Sequence, residues 1–262
     1  MPLWPFDKKR IGLVLGGGVA RGLAHIGVLK VIEQYKIPID YVAAASSGSI
    51  VGAVFAAGME VRLIEELALR ISWGRILKVT FFRPGLMSGE AIEDLIIKYV
   101  GDKKFSELKI PFAVAATDLK TGEPVIINWG RVAKAVAASV AFPGLFAPEE
   151  VKQHTVVDGA ISANLPVDLA KQMGANFIIA SDVVPTCPVN YLPKDPFQVF
   201  GRSLDIILHK LSLEQRKQAD ILIEPKMDED IWHFDLHKAK KLIAAGEAAA
   251  HQSLRKLQRS YH

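Results

Sequence analysis

Cysteine is almost missing from this chain: Cys187 is the only one in 262 residues, so neither an internal disulfide nor a cysteine-rich metal site can form. An excess of one charge is missing too. The 32 Lys and Arg against 28 Asp and Glu leave a formal net charge of +4. That argues against nucleic acid as a partner and allows only a mild attraction to anionic headgroups. No long apolar run is present. Residues 41–59 carry no charge, yet they include Ser46, Ser47, Gly48, Ser49, Gly52 and Gly58. A buried strand followed by a buried helix accounts for them better than a membrane span of ~20 apolar residues. Residues 1–10 lack the apolar stretch of a secretory signal. A cytoplasmic location, with peripheral membrane contact, is the expectation. Repeats are absent, and no cluster of His, Asp or Glu has metal-ligand spacing, so no metal is expected.

Half of the residues are apolar and 23% are charged, as in a globular chain long enough for one large α/β domain. Strand-like apolar runs at 11–15, 40–45, 112–116, 124–128, 156–158, 177–182 and 220–224 alternate with helical periodicity. The helical segments cover 22–35, 47–57, 61–71, 90–100, 132–140, 167–173, 197–218 and the residues from about Asp235. This alternation predicts an α/β fold, a single-domain three-layer sandwich whose mainly parallel sheet carries helices on both faces. The expected organisation is a leading segment 1–10, a core 11–184 and an extension 185–262 packed on the same domain. The extension begins at four prolines between Pro185 and Pro196. Residues 72–88 break the period and mix Trp73, Phe81 and Phe82 with Arg75, Lys78 and Arg83. They read either as a lid or lipid-facing rim, or as a loop tucked onto the core.

Three local patterns carry chemistry. Ser46 stands where a strand turns into a helix, with Ala44 two residues before and Gly48 two after. Such a turn pushes a hydroxyl out of the fold and aims nearby N–H groups at one point. A serine capping a helix is the plainer reading, with Ser47 the rival for that role. Gly16, Gly17 and Gly18 follow a strand and precede a helix. Their amides suit either an oxyanion hole or a phosphate cradle, the latter with Asp40 placed for a ribose. The spacing G-x-G-x-x-G fails in both frames, because Arg21 and Val19 occupy glycine positions, so nucleotide binding is the weaker reading. Asp158, followed by Gly159 and Ala160, ends a strand 112 residues after Ser46. Its carboxylate is a poor base at a solution pKa of ~3.9 unless burial raises it, and Asp-Gly is also a common turn. A histidine base would come from His209, His233, His237 or His251, none of them in a recognisable strand-end loop. His25 reads as a packed or capping residue.

Taken together, residues 16–29, 46–53, 116–118, 142–146, 158–160 and 164–167 resemble the patatin-like phospholipase family in its compact bacterial form. The resemblance implies a serine acyl hydrolase that cleaves a lipid ester or phospholipid through an acyl-enzyme, without metal or organic cofactor. It implies Ser46 as nucleophile and Asp158 as proton acceptor. It places the oxyanion hole on Gly16, Gly17, Gly18 and Val19 with Arg21 nearby, and gives supporting roles to Gly22, Ala44, Gly48, Gly159 and Ala160. Val19 and Ala44 stand where the family usually has glycine. Those departures make a catalytically weak or inactive interaction module the alternative.

Overall fold

Every residue of β1 (Ile11–Leu15) is buried, which places this strand in the middle of a sheet covered on both sides. The computed structural model describes residues 9–70, 88–186, 189, 192–226 and 235–260. Among these, β1 is joined by β2 (Tyr41–Ala45), β3 (Phe112–Asp118), β4 (Pro124–Ile127), β5 (Glu149–Val151), β6 (His154–Asp158), β7 (Phe177–Ser181) and β8 (Ile221–Ile223). Their order is β5-β6-β3-β2-β1-β7-β8, with β4 also paired to β3. The run β3-β2-β1-β7-β8 is parallel, and β3 meets both β4 and β6 antiparallel.

The period-2 alternation of strands divides the core into two. Ile11, Leu13 and Leu15 face a thick layer holding α1 (Ala24–Gln34), α2 (Ser47–Ala56), α3 (Val61–Arg70), α4 (Glu90–Val100), α5 (Val132–Ser139) and α9 (Ala239–Ser260). Val14, Ala43, Ala113 and Ala180 point the other way, toward α7 (Val167–Gln172). The short α6 (Ala160–Ala163) and the long α8 (Pro196–Lys217) complete the helices. Residues beyond 185 share in this body: β8 extends the sheet from β7, and α9 lies across α1. There Gly27 and Gly246 allow backbones to touch, since a Cβ on Gly246 would stand 1.9 Å from the Ala24 carbonyl oxygen. No helix of the described residues is long and apolar enough to cross a membrane.

Several boundaries differ from those read along the sequence. The helix expected from Gly22 starts as a 3-10 turn at Val19–Leu23 before becoming α1. The strand ending at Ala116 runs on to Asp118, because β6 and β4 supply partners for two more residues. Strand β5 and helix α6 span three and four residues, too short for any periodicity to register. Of residues 72–88, read as either a lid or a tucked loop, only Ser88 belongs to the described residues.

Candidate active site

Strand β3 acts as a ruler that brings two distant segments together. The Val42 N–H donates to the Pro111 carbonyl and the Leu119 N–H to the Thr155 carbonyl. Residues 111 and 119 have the same parity, so β2 and β6 lie along one edge of β3, end to end. Ala45 pairs with Ala115 and Asp158 with the next residue, Ala116. The first residue after β2 is Ser46, and it meets the last residue of β6. Ser46 Oγ donates to Asp158 Oδ2 at 2.7 Å.

Ser46 adopts φ 50° and ψ −131°, a left-handed conformation that costs a residue with a Cβ about 1–3 kcal/mol. Hydrogen bonds on both sides hold it there. Its N–H donates to Ser139 Oγ at 3.0 Å, and its carbonyl accepts from the Ser49 hydroxyl at 2.6 Å and the Ser49 N–H at 2.8 Å. The turn is tight enough that a Cβ on Gly48 would lie 2.3 Å from the Leu15 carbonyl oxygen. Ala44 disturbs nothing: it keeps register with Leu15 and Val114, and the helix passes over it at Gly52. Ser47, expected as the helix cap, is instead the first residue of α2, and its hydroxyl is buried without a partner among the described residues.

Asp158 is buried. Its Oδ1 accepts from the Ala160 N–H at 2.8 Å, and its carbonyl from the Thr117 hydroxyl at 2.8 Å. The N–H groups of Asp158 and Gly159 donate to the Ala141 and Ser139 carbonyls, both at 3.0 Å. Burial raises the carboxyl pKa to about 6, against the lowering effect of the bonds from Ser46 and Ala160. It is therefore a stronger proton acceptor than a solvated aspartate and is still ionised at neutral pH.

The glycine turn divides into committed and open donors. The Gly16 N–H donates to the Ser181 carbonyl at 3.0 Å and the Gly17 N–H to the Asn164 carbonyl at 3.2 Å. Those two amides therefore brace the turn, which narrows the expected oxyanion hole. Gly18 and Val19 N–H meet no acceptor among the described residues. Gly17 still matters sterically, because a Cβ there would stand 2.9 Å from Ser46 Cβ. Val19 lies at φ 51°, a costly position for a β-branched residue and the reason glycine suits it better. Arg21, expected as a positive group beside the oxyanion, is buried and ion-paired with Asp205 of α8, so its charge is offset in place.

His25, read from the sequence as a packed or capping residue, is packed into this site, whereas Ser139 went unnoticed. His25 Nε2 donates to the Gly16 carbonyl at 2.8 Å, and Nδ1 accepts from the Ser181 hydroxyl at 2.9 Å. Burial pushes its pKa down to about 4, so it is a neutral tie and not a base. Ser139 is the one hydroxyl in α5, an otherwise apolar stretch apart from Lys134, and that isolation was its only signal. His251 bonds Tyr35 and His154 pairs with Asp118, while His237 lies beside Asp235. His209 sits on α8, and His233 lies outside the described residues. Among the described residues, no histidine bonds Ser46 or Asp158. Asp40, the ribose candidate, accepts from the Ile11 N–H at 2.6 Å, a strand's length from the glycine turn. No group of three potential metal ligands occurs among the described residues.

Ser46 and Asp158 line an apolar cavity of about 130 Å³ together with Leu23, Ile50, Leu95 and Phe142. A second apolar chamber of about 70 Å³ shares Leu23, Ile50, Val51 and Leu95 with it and reaches between α1, α3 and α4. A small chamber of about 20 Å³ on another side of Ser46 is bounded by Val19, Arg21, Leu204, Asp205 and Leu208.

Known proteins resemble this chain in sequence and in architecture. A family model described as patatin-like phospholipase matches residues 13–171. The chain is 33% identical over 183 residues to patatin-like phospholipase domain-containing protein 6 of Mus musculus, a match covering 66% of the chain and 13% of that protein. It is 32% identical over 202 residues to lysophospholipase nte1 of Aspergillus fumigatus, covering 75% of the chain and 13% of the relative. An uncharacterized NTE family protein of Mycobacterium tuberculosis is 34% identical over 183 residues, covering 66% of the chain and 49% of that protein. The match thus spans half or less of each of these relatives. Among solved structures, ExoU in its complex with SpcU from Pseudomonas aeruginosa superimposes with a TM-score of 0.55 at 16% identity, over 96% of this chain and 52% of that one. VipD from Legionella pneumophila gives 0.54 at 12% identity, over 96% and 67%. At such identities the two structures speak for the fold alone. The matched stretch, running from β1 through the serine turn and Asp158 to α7, makes this chain a member of the patatin-like phospholipase family.

Proposed function

We propose that the chain is a lipid acyl hydrolase in which Ser46 and Asp158 form a catalytic dyad. The observation that carries this reading is the 2.7 Å bond from Ser46 Oγ to a buried carboxylate inside an apolar cavity. Ser46 Oγ attacks the ester carbonyl carbon while its proton passes to Asp158 Oδ2. The carbonyl oxygen, now an anion, is held by the Gly18 and Val19 N–H groups. Collapse expels the alcohol, which takes the proton from Asp158 and leaves an acyl-serine. A water molecule then gives its proton to Asp158 and adds to the acyl carbon, and the carboxylic acid departs as Ser46 regains its hydrogen. The adjoining apolar chambers suit a hydrocarbon chain, and the relative named as a lysophospholipase points to the same class of ester.

The test is hydrolysis of p-nitrophenyl butyrate together with labelling by a fluorophosphonate. Activity and labelling are expected in the parent chain and absent in Ser46→Ala, with unchanged circular dichroism. Asp158→Asn should reduce turnover by at least about a hundredfold, the scale of a lost general base. One observation favours a second reading: Val19 holds a strained conformation with its side chain lining the cavity. A parent chain that neither labels nor hydrolyses would be a binding module that keeps the hydrolase fold.

A further inference from the structure

Helix α8 buries several polar side chains and exposes several apolar ones, although Leu208 is also buried and Ser203, Lys210, Glu214 and Lys217 are exposed. Its buried residues include Arg202, Asp205 and Ser212. Asp205 pairs with Arg21, and Ser212 accepts from Asn164 Nδ2 at 3.3 Å. Phe200, Leu204, Ile207 and Leu211 recur at a 4-3-4 spacing and so form one stripe along the helix. Phe200, Ile207 and Leu211 are 60%, 54% and 56% exposed, whereas Leu204 turns inward and lines the small chamber beside Ser46. The apolar stripe thus continues from the outside of α8, through Leu204, to the wall of the small chamber beside Ser46 and Asp158. Lys194 and Lys210 stand exposed near it, and no carboxylate among the described residues pairs with either side chain.

A water-facing helix gains nothing from such a stripe, and the inward polar residues rule out a leftover core face. Continuity with the cavity points to the occupant. Leu204 ties the exposed stripe to the small chamber that Ser46 and Asp158 line, so a bilayer seated on α8 would lie against the wall of the site. We propose that the outer face of α8 is the surface by which this protein seats on a phospholipid bilayer. The proposal rests on the lipid acyl-ester reading given above.

The test uses the full chain and vesicles of phosphatidylcholine with phosphatidylglycerol. Sedimentation with Ser46→Ala protein measures binding without turnover. Adding Phe200→Ser, Ile207→Ser and Leu211→Ser is expected to lower the bound fraction roughly tenfold or more. On the parent background the same three substitutions should leave p-nitrophenyl butyrate hydrolysis within about twofold, as surface changes do. Equal vesicle binding by the triple variant, or none by the Ser46→Ala protein, overturns the proposal. So does light scattering that finds a dimer which the triple variant dissociates, since α8 would then be a contact between copies. Vesicle binding lost in the triple variant supports the docking surface even if the parent hydrolyses no ester, in which case the acyl-hydrolase reading alone fails.

Discussion

Ser139 Oγ accepts the Ser46 backbone N–H at 3.0 Å across 93 positions of sequence. The strained turn is thus held by a helix from another part of the chain. Ser139→Ala would leave a buried N–H without its acceptor, at a cost of about 1–3 kcal/mol. Urea unfolding should register that loss. Turnover should fall more than KM changes, because Ser46, the proposed nucleophile, is displaced and the apolar cavity is not. An equal stability for both proteins would remove Ser139 from this role.

The acidity of Asp158 sets the expected pH dependence. Attack needs the carboxylate, so kcat/KM should rise through a pH of about 6 and level off above it. Stability runs the other way. Its folded pKa lies above the ordinary aspartate value of 3.8, so the folded chain binds more protons between those values and loses stability as pH rises through them. The loss is on the order of 3 kcal/mol once the group is fully ionised. Asp158→Asn should therefore melt at a higher temperature than the parent at pH 8, while lacking activity. His25 contributes with the opposite sign. Its folded pKa is lowered from 6.5 to about 4, so the stability it supports is lost as pH falls from 6.5. The variant lacks the opposing carboxyl, so its melting temperature should drop more steeply than the parent's between pH 6.5 and 4.

Val19 combines a left-handed backbone with a side chain that lines two chambers beside Ser46. Val19→Gly removes both the strain and the bulk. Relief of strain and the greater freedom of glycine in the unfolded chain oppose each other, so stability should change by less than about 1 kcal/mol. The ratio of octanoate to butyrate ester hydrolysis should rise. An unchanged ratio would mean that Val19 does not limit the site.

Leu95 stands at the junction of the two apolar chambers. Leu95→Trp should wall one chamber off from the other and cap the length of acyl chain that profits from burial. Each methylene is worth about 0.8 kcal/mol, close to fourfold in kcat/KM. In the parent the rate should climb with chain length beyond butyrate. In the variant the climb should stop early, with butyrate itself little affected. Parallel chain-length profiles would refute the two-chamber reading.

What the sequence determined by itself is local. The change from period 2 to helical period at Ser46, the three glycines after β1, and the apolar runs that became β1, β2 and β7 are all legible because each involves neighbours along the chain. The family could be recognised for the same reason, from short stretches of residues in order. Only the tertiary structure decided which of these pieces meet. That β2 and β6 share one edge of β3 depends on hydrogen bonds between distant strands, and no pattern within either strand encodes its partner. The same holds for the Gly16 and Gly17 amides spent on bracing, and for Arg21 neutralised by Asp205. It holds too for α8, whose Arg202, Asp205 and Ser212 turn inward. Hydropathy along the chain would have turned that helix the other way, because it scores what each side chain prefers and not which buried partner has been placed to satisfy it.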